Sequence, residues 1–299
     1  MRTMIRILPL LTVALALAAC ERTESPTPEP AVPTTVPVIA PVDEAAVTTA
    51  DDEARMAAIL LGEHRSAEHR ARDQYRNPAE TLAFFGLRPD STVVEIWPGG
   101  GWYTEIIAPY VNEQGQYYGA HFDPSSDREF VQRAVAAFRE QLAARPDLYG
   151  NAQVTALACP PEGLEIAPAE SADLVLAFRS LHNWMGGECV EEVLATIERA
   201  LKPGGTFGLV GHRAPADAPQ DPRAPRGYVR EDYAIELVEA AGFELVASSE
   251  ANANPRDPAD HERGVWVLPP RLARGDEERE RYLEIGESDR FTLKFRKPE

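Results

Sequence analysis

From about residue 92 onward the chain alternates short β-branched and apolar runs with longer amphipathic ones. Segments 92–97, 116–122, 154–158, 172–178, 206–211, 243–248 and 291–295 are rich in Val, Ile, Phe and Tyr and read as strands. Segments 102–111, 127–144, 189–201 and 228–241 repeat apolar residues at helical spacing. Upstream, 51–72 carries Met56, Ile59 and Leu60 on one side among many charges and is predicted as a single helix. Asn77-Pro78 starts a second, with Asn77 as N-cap, Pro78 at the first helical position and Gly86 as C-cap. This alternation predicts an α/β fold, a mostly parallel sheet with helices on both faces. Segments 214–227, 252–260 and 269–289, rich in Pro and Asp, are expected to be irregular.

The first fifty residues lie outside that pattern. Arg2 and Arg6 precede an apolar stretch from Ile7 to Leu17, too short for the roughly 20 residues of a membrane-spanning helix. It closes in Leu17-Ala18-Ala19-Cys20, which resembles a bacterial lipobox and implies lipidation at Cys20. Residues 21–50 are rich in Pro, Thr and acidic side chains and read as an extended linker. The folded part is expected over 51–299, with the chain exported and tethered in the cell envelope through Cys20.

Charge narrows the partners. The formal net charge is −18, so a nucleic-acid backbone would be repelled and a small molecule is the expected substrate. Only Cys159 and Cys189 remain beyond Cys20. With no Cys/His cluster around them they predict no metal site, and they read by default as buried small hydrophobes. An oxidising compartment permits a disulfide, but spacing alone does not place the two in contact.

Candidate chemistry gathers at strand exits. The first strand runs into Glu95-Ile96-Trp97-Pro98-Gly99-Gly100-Gly101, a glycine turn where backbone can approach a ligand closely and a helix N-terminus follows. The fourth ends in Phe178-Arg179-Ser180-Leu181-His182-Asn183-Trp184, and the fifth in His212-Arg213. His182 and His212 are candidate general bases and Arg179 a candidate anchor for an anionic substrate. His182-Asn183 also suits a helix cap, and His212 a structural role.

The glycine turn, the segment Leu201-Lys202-Pro203-Gly204-Gly205 before the fifth strand, and the order of elements resemble class I S-adenosylmethionine-dependent methyltransferases. More narrowly, 95–103 and 178–184 are similar to a bacterial group of predicted, often exported, methyltransferases. The resemblance implies a Rossmann-like three-layer sandwich with a seven-stranded sheet whose last strand is antiparallel. It implies S-adenosylmethionine as cofactor, its methionyl part held by Glu95, Gly99, Gly100 and Gly101. Three positions depart from the family pattern. Trp97 stands where the motif has its first glycine. His121 stands where an acid binds the ribose, with Asp123 two residues on as a substitute. Ala158-Cys159-Pro160 lacks the acid that meets the adenine. A non-catalytic lipoprotein that uses the fold to bind another ligand or a protein is the alternative. A nucleotide-dependent oxidoreductase is disfavoured by the missing Gly-x-Gly-x-x-Gly spacing.

Overall fold

A computed structural model describes residues 49–299; the expected signal, Cys20 and nearly all of the linker lie outside the described residues. The chain opens with α1 (Ala50–Leu60), two single turns α2 (Ala67–Arg70) and α3 (Asp73–Arg76), and α4 (Pro78–Phe85). The single helix expected over 51–72 is therefore broken. Gly62 follows the end of α1, and Arg65 turns inward to a two-pronged pair with Asp73 at 2.8 and 2.7 Å. Ser66 then caps α2 by accepting from the His69 N–H. Asn77 caps nothing: its backbone is left-handed (φ 37°) and its amide donates to the Ala251 carbonyl, tying α4 to the far end of the chain.

The alternating part follows as β1 (Thr92–Ile96), α5 (Thr104–Val111), β2 (Gln116–His121), α6 (Glu129–Ala144), α7 (Pro146–Tyr149) and β3 (Gln153–Ala156). Next come β4 (Ala172–Phe178), α8 (Leu181–Gly186), α9 (Val190–Ala200), β5 (Leu201–His212), α10 (Glu231–Ala240), β6 (Glu244–Ser249), α11 (Arg279–Ile285) and β7 (Arg290–Arg296). One seven-stranded sheet results, in the order β3-β2-β1-β4-β5-β7-β6. Pairings from β3 to β5 are parallel, and β7 is antiparallel to both its neighbours.

Strand alternation divides the core into two layers. Val93, Leu174, Leu176 and Val210 face α4, α5 and α6, whereas Val94, Val175, Ala177 and Leu209 face α8, α9 and α10. Each such buried Val or Leu contributes about 1.5–3 kcal/mol. The segment Lys202-Pro203-Gly204-Gly205, expected ahead of the fifth strand, is instead the first part of β5. Leu201 pairs with Ala172, and a register shift before Thr206 absorbs Gly204 at φ 71°. Short helices α7 and α11 stand where no helix was expected, too brief to show a period, and α8 starts ahead of His182-Asn183, with Ser180 rather than that pair at its N-cap. Cys159 and Cys189 form a disulfide, Cα atoms 5.6 Å apart, rather than packing as free thiols. It joins the loop after β3 to the start of α9; closing a 30-residue separation contributes about 3–4 kcal/mol in the chain-entropy account.

Candidate functional site

Strand order reverses between β1 and β4, and their carboxyl ends frame the crevice where open parallel sheets bind ligands. Two non-glycine residues there have left-handed backbones, Trp97 (φ 47°) directly after β1 and Arg179 (φ 60°) directly after β4. Such a conformation costs an ordinary residue roughly 1–2 kcal/mol. Its presence at both sides of the crevice marks a place where side-chain position outweighs stability. Gly99 (φ 60°) and Gly101 (φ 78°) need the conformation that glycine supplies freely.

Glu95 lies beneath this loop, 3% exposed. Its Oε2 is 2.8 Å from Thr104 Oγ1 and 2.7 Å from the Tyr117 hydroxyl, and those two oxygens are 2.9 Å from each other. Both hydroxyls donate to Oε2, and their own contact closes the triangle around it in a site shut off from solvent. Burial accordingly pushes Glu95 up to about 7, against the lowering by the hydroxyls of Tyr117 and Thr104. A carboxyl raised in the folded state stabilises fully below its unfolded value and loses that contribution as pH rises toward 7. Glu95→Gln should therefore flatten the fall in stability between about pH 4.5 and 7, followed as denaturation midpoints of both proteins. Parallel pH profiles would contradict a protonated Glu95.

Trp97 turns its indole across the crevice. Nε1 donates to the Leu157 carbonyl just past β3 (2.8 Å), and the ring packs on Phe122 (centroids 5.5 Å) and Trp184 (6.3 Å). His121 is fully buried, accepting from the Phe122 N–H at Nδ1 (2.8 Å) and so donating from Nε2 to the Gly99 carbonyl (3.2 Å). Burial lowers its pKa, and it sits neutral as a strut under the glycine loop. Asp123 accepts from the Ser125 N–H and hydroxyl (2.8 and 2.7 Å), closing a turn. Of the residues expected to hold a cofactor, His121 thus braces the loop from within, Glu95 ties the start of α5 to β2, and Asp123 caps a turn after β2.

Arg179, His182 and His212 do converge. They line a cleft of about 240 Å³ together with residues that have no local motif: Arg72, Arg76, Trp266, Glu287, Ser288 and Arg290. Glu287 is its organising group, 1% exposed. It accepts from Arg72 (2.6 Å), Arg76 (3.0 Å) and Arg290. Burial alone would raise its pKa, but Arg290, Arg76 and Arg72 hold it well below the carboxylate range. The Arg179 guanidinium takes no hydrogen bond among the described residues, and burial beside Arg290 lowers it to about 10. His182 also has no hydrogen bond; burial and then Arg179 lower it to about 4. His212 Nδ1 lies 2.6 Å from Ser288 Oγ, with its pKa lowered by burial, His182 and the arginines. The rings of His182 and His212 are 5.4 Å apart. Tyr103 stacks on Phe178 (3.5 Å, 10°) between glycine loop and cleft, and Trp102 packs its ring against Arg65 and Arg76, fixing the N-terminal turns there. Among the described residues no His, Cys, Asp and Glu group is arranged to hold a metal ion, and no helix is long and apolar enough to cross a membrane.

Residues 94–207 match a methyltransferase domain family. No curated protein matches the chain. Among solved structures, the [4+2]-cyclase SpnF superposes with a TM-score of 0.52 at 19% identity over 80% of this chain and 85% of that one. A SAM dependent methyltransferase from Aquifex aeolicus gives 0.47 at 19% identity over 60% and 86%. One from Mesorhizobium loti gives 0.46 at 19% over 73% and 96%. Identities this low speak to the fold alone, a Rossmann-like α/β sandwich with antiparallel β7.

Proposed function

We propose that the protein, whose residues 94–207 match a methyltransferase domain family, is a class I S-adenosylmethionine-dependent methyltransferase that methylates a small molecule held in the cleft beyond β4 and β5. The observation that carries the reading is the pair of neutral imidazoles, 5.4 Å apart at the exits of β4 and β5, in a cleft separated from the glycine loop by the Tyr103–Phe178 stack.

The loop suits the methionyl end of the cofactor. A Cβ at Gly100 would meet nothing within 4 Å, one at Gly99 only the Trp97 carbonyl, and Glu95 Oε1 takes no hydrogen bond. The adenosine end does not fit where the indole stands. Trp97 reaches from Phe122 to Leu157, across the ends of β2 and β3 where ribose and adenine are expected. Admission of the cofactor requires that indole to leave. When bound, S-adenosylmethionine would supply a methyl group already activated on a sulfonium.

The chain's own part is to hold the acceptor and take its proton. With Nδ1 directed at Ser288, His212 keeps Nε2 without a partner. Both imidazoles are unprotonated at neutral pH, ready to accept a proton but made weakly basic by burial first and, after it, by the facing arginines. A bound anion would screen those arginines and raise both. His212→Gln should lower labelled-methyl transfer roughly 10²–10⁴-fold without abolishing acceptor binding; transfer at the wild-type rate would remove His212 from the chemistry.

Trp97 favours a second reading, that the domain binds its ligand without methylating it. Ligand binding by wild type with no methyl transfer in either wild type or a Trp97 variant would decide for that reading. For location, the lipobox-like Cys20 and the Cys159–Cys189 disulfide together support export to the cell envelope and anchoring by lipid.

A further inference from the structure

We propose that the cleft at the exits of β4 and β5 is a site for a small dianion, a phosphate monoester or a dicarboxylate, whose anionic oxygens bind Arg179, Arg76 and Arg290. The inference names the acceptor class for the site read above as the acceptor cleft, and it rests on that reading only for the word acceptor.

Charge is the first ground. Five guanidiniums, from Arg72, Arg76, Arg179, Arg271 and Arg290, line the cleft with a single carboxylate, Glu287, which pairs with Arg72, Arg76 and Arg290. Four positive charges are left uncompensated in the lining of this cleft, in a protein whose overall charge is −18. Such a concentration against the sign of the whole chain is costly to fold and attracts anions.

Unmet hydrogen bonds are the second. Arg76 Nη1 and Arg290 Nε are buried without partners, in residues 1% and 2% exposed. Buried charged donors are rarely left so, and a group that leaves them unmet points to something that completes them. Arg179 has no hydrogen bond either, and it is held toward the cleft by a backbone conformation unfavourable to arginine. His182, 9% exposed, adds a neutral ring without a partner.

Size and shape set the class. About 240 Å³ is smaller than the roughly 300–1,000 Å³ of sites for drug-sized ligands. Guanidiniums bind carboxylate and phosphate oxygens through paired N–H groups, which a planar fork presents and a lysine cannot. The walls come from α3, the β4–α8 junction, β5 and the segment before β7. A ligand there joins parts of the chain more than two hundred residues apart.

Calorimetry of the full chain with inorganic phosphate and with succinate tests this, using wild type, Arg179→Gly and Arg179→Met. Arg179→Gly suits the left-handed backbone, so its thermal midpoint should hold or rise while its dianion affinity falls at least about tenfold. A merely structural arginine would lose stability and leave affinity unchanged. Arg179→Met keeps the test open if the glycine variant folds poorly, and should show the same loss of affinity. Binding of either dianion by wild type, weakened in the variants, supports the site, and the stronger of the two identifies the headgroup. No binding of either, or equal binding by wild type and variants, overturns it. Neither result depends on methyl transfer, so failure of that reaction leaves this outcome separate.

Discussion

Replacing Trp97 with glycine should strengthen binding of S-adenosylmethionine by roughly 30- to 100-fold, because a site open only part of the time binds in proportion to its open fraction. The indole is held in the crevice by its bond to the Leu157 carbonyl and by contact with Phe122 and Trp184. One hydrogen bond and a partly buried aromatic face amount to about 2–3 kcal/mol. At about 1.4 kcal/mol per decade, that keeps the crevice open only a few per cent of the time or less. Glycine removes the ring and also relieves the left-handed strain of roughly 1–2 kcal/mol, offsetting part of the packing lost. Calorimetry with S-adenosylmethionine or its demethylated product compares the two proteins directly. Wild type binding as tightly as the variant would mean that the indole does not obstruct the cofactor. No binding by the variant would mean that His121 and the Ala158-Cys159-Pro160 segment after β3, which lacks an acid, exclude adenosine by themselves.

The frame of the molecule was legible in the sequence because its signal is periodic and local. Seven apolar runs lead to seven strands in a mixed sheet, with boundaries off by a residue or two except at β5, which begins five residues earlier at Leu201. Breaks in that legibility have physical causes. Residues 51–72 keep helical spacing, yet the pairing of Arg65 with Asp73 bends the chain after Gly62. The disulfide joins cysteines thirty residues apart, and nothing in their spacing encodes contact. Of the candidate site, His182, His212 and Arg179 were readable because strand exits are where such sheets bind ligands. The larger part of the cleft was not, because Arg72, Arg76, Glu287 and Arg290 meet only through tertiary folding. One sign was present. Arg72 and Arg76 stand four apart, an arrangement unfavourable on an exposed helix unless an acid is brought in from elsewhere. Position marks Glu95 and His121 as candidates, and their hydrogen bonds add what position does not carry: Glu95 joins α5 to β2 through Thr104 and Tyr117, and His121 supports the Gly99 carbonyl.

That imported acid sets the second large effect. Glu287→Gln should cost about 3–5 kcal/mol, the range for breaking a buried ion pair while leaving its partners charged. For a chain of this size the thermal midpoint should fall by about 10 °C. The arginines remain, now with no carboxylate among them, so loss of stability comes from their repulsion and from their unmet donors as much as from the lost bonds. Two further consequences separate this from ordinary core damage. Glu287 is depressed in the folded state, so its contribution is complete above the unfolded carboxyl value and declines as pH falls through the folded one. Wild type and variant should therefore draw together in stability toward low pH and diverge toward neutrality. Phosphate should also stabilise the variant more than wild type, because a ligand that binds only the folded state adds stability according to its affinity, and affinity for an anion rises when a competing carboxylate is gone. Thermal unfolding of both proteins across pH, with and without phosphate, reads all three effects. A variant within about 1 kcal/mol of wild type, the level of an exposed pair, would show that Glu287 does not hold the arginines together.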